Sequence, residues 1–132
     1  MIKQIAKYHN KLRLTTSDLT VLSGDFDKSQ LSNHSVEKMV KDNLETIILA
    51  LLQKKPMCGT NIIETIHLEF SVLLSPGTIY PLLHSLQERR LIQFEKQGKA
   101  KTYTIAEDAE AQIKGLVNEQ IQARNLLNNY LQ

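Results

Sequence analysis

The chain has 132 residues, 42% of them hydrophobic and 23% charged, with a formal net charge of +2 and a single cysteine. That length suits one modest core, and no apolar run approaches the roughly 20 residues of a membrane span. Cys58 alone excludes an internal disulfide and fits a reducing cytoplasm, while so small a net charge leaves nucleic-acid binding to local clusters.

Residues 1–34 read as an N-terminal extension. Ile2, Ile5 and Ala6 make a short apolar face opposite Lys3, Lys7 and Lys11, and a polar stretch without sustained period follows. The start is basic but lacks the continuous apolar centre of a secretory signal. From Ser35, which can serve as a cap, Val36, Met39, Val40, Leu44, Ile47, Ile48 and Leu51 recur at three and four residues and predict one helix. Pro56 and Gly59 stop it and start a second, whose stripe is Ile62, Ile63, Ile66 and Phe70.

The third stripe, Ile79, Leu82, Leu83 and Leu86, lies in SPGTIYPLLHSLQERRLI, a helical pattern with two prolines and a glycine at its front. Two readings fit. With Ser75 as cap, Pro76 takes the first helical position, where its missing N–H costs nothing, but Pro81 then removes a bond to Gly77. Alternatively Ser75-Pro76-Gly77 is a tight turn and the regular helix starts at Thr78. Beyond Ile92 the alternation in QFEKQGKAKTYTIA predicts a two-stranded hairpin with its tip near Gly98. From Glu107 the helical period returns through Ile113, Leu116, Val117, Gln120, Ile121, Leu127, Tyr130 and Leu131.

Three helices, a hairpin and a long helix predict a mainly α fold with a small β-hairpin, a winged helix-turn-helix over residues 35–106, with residues 107–132 as a dimerisation helix. In that arrangement the third helix enters a major groove and the wing lies on the backbone. Ser75 and Thr78 read as phosphate contacts, and Pro81 helps shape the entrance of the helix. Tyr80 either touches DNA or braces the second helix, and His84 either faces DNA or makes an interior polar contact. Lys96, Lys99 and Lys101 surround the wing turn as phosphate contacts. The final stripe has little left to cover once a small core is filled, so it pairs with a second copy or folds back on its own core. Glu64 and His67 sit one turn apart but lack converging ligands, so no metal is assigned, and no catalytic constellation or cofactor motif appears.

GTIYPLLHSLQERRLI closely resembles the core signature of PadR-type transcriptional regulators, with its Gly-Thr-aliphatic-Tyr-Pro opening, Leu-His-x-Leu centre and Leu-Ile close. ETIILALLQKKPMCGTNII is similar to that family's first two helices, and GKAKTYTI to its wing. The resemblance spans roughly Asn43 to Gln132 and implies a homodimeric repressor reading an inverted repeat in double-stranded DNA. The resemblance also implies a small aromatic effector held between subunits; with no Trp and with the departures that follow, whether this chain has an effector, and which, stays open. Arg90 stands where the family has glycine, Thr60 where it has an aromatic, and Ala106 and Ala109 where it has Thr and Gly. A winged-helix module that docks a protein partner is the alternative.

Overall fold

The computed structural model describes residues 32–132; the apolar face expected around Ile2, Ile5 and Ala6 lies outside them. Helix α1 spans Asn33–Asp42 and α2 spans Leu44–Lys54. The single helix expected from the stripe is therefore two. Asn43 makes the break: at φ −117° and ψ 16° it leaves helical geometry, and its Nδ2 donates to the Met39 carbonyl at 2.7 Å. A short amide side chain that bonds nearby backbone competes with the helix in this way. Because α2 restarts at once, the apolar stripe runs on unbroken, which is why its period hides the break. The cap also differs from expectation, since Ser32 Oγ accepts from the Ser35 backbone N–H at 3.0 Å. On the outer face of α1, Lys41 bonds Glu37 at 2.9 Å and holds its carboxyl below the usual glutamate range.

Strand β1, Met57–Cys58, leads directly into α3, Gly59–Phe70, and Ser71 in the left-handed region at φ 58° ends that helix. A short turn follows in which Val72 and Leu74 are buried, and α4 then runs from Pro76 to Glu88. The wing consists of β2, Ile92–Gln97, and β3, Ala100–Ile105, joined by Gly98 and Lys99. Gly98 has φ 65°, and a two-residue loop with glycine first suits the twist of a hairpin. The expected hairpin is thus present but incomplete as a description. Met57 pairs with Tyr103 and Cys58 with Thr102, making a three-stranded antiparallel sheet in the order β1-β3-β2. A two-residue strand carries no readable alternation, and Pro56 beside it signals only a turn. One 3₁₀ turn, Glu107–Ala109, precedes the final helix α5, Glu110–Leu131.

One core joins all of these elements. Ile48, Ile62, Ile66, Ile79, Leu83 and Leu86 have no exposed surface, Leu91 after α4 is buried with them, and the wing adds Ile92 and Tyr103. Burial, and secondarily the neighbouring Tyr80, raises the Tyr103 phenol above its ordinary value. Ile113 is also fully buried in this core. It therefore has no surface to offer a partner and leaves the set expected to form a dimer; Leu116 and Val117 are half-buried beside it.

The end of α4 resolves the anomaly at Arg90. Leu91 N–H donates to the Leu86 carbonyl at 3.1 Å and Arg90 N–H to Gln87 at 2.9 Å, with Arg90 at φ 61°. That is the Schellman arrangement, completed by burial of both Leu86 and Leu91. Arginine thus holds the left-handed turn that glycine would take without strain. Arg90→Gly is expected to raise the unfolding free energy by about 1 kcal/mol, seen as a higher urea midpoint at unchanged slope.

Candidate nucleic-acid interface

The front of α4 follows the first of the two readings. Ser75 is extended at φ −84° and ψ 155°, Pro76 opens the helix, and Thr78 and Ile79 N–H groups both donate to the Ser75 carbonyl, at 3.0 and 3.2 Å. The helix does not wait for Thr78, so Pro81 lies inside it and deprives the Gly77 carbonyl of its helical donor. The Ser75 hydroxyl makes no cap; it lies 3.1 Å from the Thr78 hydroxyl, and both side chains are exposed.

With Ile79, Leu83 and Leu86 facing inward, Gly77, Pro81, His84 and Glu88 line the outward strip. His84 is exposed, and its Nε2 lies 2.9 Å from Glu88 Oε1, so it makes no interior contact. Sequence spacing alone does not single out this pairing, because Glu88 belongs to the polar QERR tail of the stripe. Tyr80 lies at the edge of the strip, 41% exposed, with its ring against Gly59 of α3. Beside it the first turn of α3 exposes Thr60 and Asn61, polar residues in CGTN that helix periodicity does not single out.

The wing concentrates positive charge. Lys96 and Lys101 are direct cross-strand partners, and Lys99 sits in the turn beyond them. Lys101 Nζ also lies 4.5 Å from the centroid of the Phe94 ring. Among the described residues none of the three has an acidic partner. Glu95 does not relieve the pair, since it sits opposite Thr102 on the other face of the hairpin. The charge of Arg89, at the end of α4, is used differently: it bonds Glu45 of α2 at 2.8 Å and ties those helices together.

Past Val117, α5 projects with much apolar surface uncovered. Ile121 and Leu127 are about half exposed, and Leu126, Tyr130 and Leu131 more so. Leu126 falls outside the stripe expected from the sequence. Gln120, Ala123, Arg124 and Leu127 face Lys38, Met39 and Asn43 of α1 and its end across an open groove. There Arg124 donates to Asn43 Oδ1, anchoring the projecting half of α5 to the break between α1 and α2. Among the described residues no helix is long and apolar enough to cross a membrane.

A helix-turn-helix whose second member presents a polar front, followed by a basic hairpin, defines a winged helix-turn-helix protein. The chain belongs to the transcriptional regulator PadR-like family, whose sequence model matches residues 48–115. It is a family of transcriptional regulators rather than enzymes. Among curated proteins the chain is 31% identical over 98 residues to the transcriptional activator GvpE of Haloferax mediterranei, covering 74% of this chain and 50% of that protein. The chain thus spans about half the length of the curated relatives it matches. Among solved structures it is similar to a PadR-like transcriptional regulator from Bacillus cereus, at 26% identity and TM-score 0.63, covering 72% of this chain and 97% of the other. A PadR-like transcription factor from Bacteroides fragilis gives 26% identity and TM-score 0.58, with 70% and 94% covered.

The opposed lysines give the geometry a direct check. Like charges facing each other across a hairpin destabilise it, so Lys96→Glu should gain about 0.2–1 kcal/mol. The gain should be visible in urea unfolding at low salt and shrink at high salt.

Proposed function

We propose that the chain is a DNA-binding regulator of transcription that acts as a homodimer on an inverted repeat. The α4 helices would enter successive major grooves, with Pro81 and His84 near base edges. Ser75, Thr78 and the wing lysines would fix register on phosphates. The observation that carries this reading is the Lys96–Lys101 pair with Lys99 at the tip. Three cations on a narrow hairpin, without an acidic partner among the described residues, cost stability unless an anion sits among them, and a phosphate backbone supplies one to each. The same cluster weighs against a winged-helix module built only for a protein partner, whose docking would not depend on it.

Repression is the direction that the family resemblance implies, whereas the curated relative is named an activator. A promoter fusion in cells deleted for the protein separates these readings, with higher expression expected on deletion for a repressor. Pairing is supported by the uncovered apolar half of α5, from Ile121 to Leu131. Relative to the stripe expected from the sequence, the pairing set excludes Ile113 and gains Leu126.

Two experiments test the proposal. Binding to duplex DNA should weaken steeply with salt, and replacing Lys96, Lys99 and Lys101 by Ala should reduce the slope of log affinity against log salt by about 1 for every phosphate that the wing ceases to neutralise. A slope unchanged in the triple variant would remove the wing from the interface. Sedimentation equilibrium at micromolar concentration should return twice the chain mass. Leu127→Asp with Tyr130→Asp should return the monomer at unchanged helicity.

A further inference from the structure

Gly59 is buried at the first position of α3, and the three atoms nearest to where a side chain would begin all belong to Tyr80. A β-carbon there would lie 2.6 Å from Cζ, 2.6 Å from Oη and 2.7 Å from Cε1, inside any van der Waals contact. The ring can occupy this place only because residue 59 is glycine. Its hydroxyl end is thereby turned toward the α3 backbone rather than toward the outward strip of α4. β1 and β3 meet at the same spot, where Cys58 pairs with Thr102 and Met57 with Tyr103. Tyr80 also lies close enough to Tyr103 to add, after burial, to the upward shift of the Tyr103 phenol.

The front of α4 also lacks a backbone restraint. Pro81 donates no bond to Gly77, so the opening turns are held by fewer internal hydrogen bonds than an ordinary helix has. A ring wedged against the neighbouring helix at residue 80, one position away, supplies a restraint where that bond is missing. Groove contacts tolerate only about half an ångström of misplacement, so the angle of this helix front matters more than its bare stability.

We propose that Tyr80 is a positioning residue: seated on Gly59, its ring sets how the front of α4 is presented, and its hydroxyl makes no contact with DNA. This rests on the DNA-binding reading above. Gly59 and Tyr80 then act as one unit, and the loss of either releases the same restraint. Moving the ring does not require unfolding, because its far end can swing toward solvent when a methyl group arrives at residue 59.

The test uses the full chain and a duplex selected from random DNA on the unaltered protein, with Tyr80→Phe, Tyr80→Ala, Gly59→Ala and the double Ala variant compared below their melting temperatures. Tyr80→Phe should bind within twofold of the unaltered protein. Gly59→Ala and Tyr80→Ala should each bind about tenfold or more weakly, and Gly59→Ala added to Tyr80→Ala should change affinity less than twofold. The proposal is overturned if Tyr80→Phe binds as weakly as Tyr80→Ala, which would assign the hydroxyl to DNA. Full affinity in Gly59→Ala, or multiplying losses in the double variant, would also overturn it. Should Gly59→Ala not fold, the contrast of Phe with Ala at residue 80 decides alone. If the unaltered protein selects no duplex, the DNA-binding reading itself fails and takes this inference with it.

Discussion

The structure depends on the burial of one face of α4. Ile79, Leu83 and Leu86 have no exposed surface, and they hold in place a helix that its own backbone holds poorly. Pro76 suits the first helical position, but with Pro81 inside, intrinsic preference argues against a helix here by about 3 kcal/mol. Burying each large aliphatic side chain contributes about 1.5–3 kcal/mol, enough for tertiary packing to override that preference. The core thus does what local propensity would not, and the irregular front remains as a feature of the outward surface. The Schellman turn fastens the other end, with Leu86 and Leu91 sharing one apolar seat across the positive-φ Arg90.

How much of this is legible in the sequence follows from what periodicity measures. Stripes such as Ile62–Ile66 and Ile79–Leu83–Leu86 report burial directly, so the helices that hold the core can be read, as can the alternating wing. Boundaries set by single polar side chains cannot. Asn43 splits a helix without disturbing its stripe, and Ser32 takes the cap where Ser35 offers the same chemistry three residues later. Strand β1 escapes because two residues have no period and their pairing partner lies far along the chain. For the site, the lysines near Gly98 are visible as charge, but that Lys96 and Lys101 face one another depends on register. The seat of Tyr80 on Gly59 is out of reach for a similar reason, since a glycine's meaning lies in what fills the space its side chain leaves.

Charge in this molecule is sorted by role. The exposed pairs Lys38–Asp42 and Lys41–Glu37 decorate α1, where solvent screens them. Arg89–Glu45 joins two helices of the core. Among the described residues the wing lysines crowd together with no acidic partner, so the modest net charge of the chain conceals a local positive field at the hairpin. The far half of α5 repeats this contrast in apolar terms, with the residues through Val117 serving the protomer and those beyond it uncovered.

Strand β1 has a consequence out of proportion to its two residues. By hydrogen-bonding to β3 immediately before α3 begins, it welds the hairpin to the helix-turn-helix instead of leaving it to swing from the end of α4. Helix α4 and the wing therefore travel as one block, and the distance between the front of α4 and the lysines of the hairpin is fixed by the sheet. On the DNA-binding dimer proposed above, adaptation to half-sites at different spacing would then have to come from how two blocks are splayed about α5.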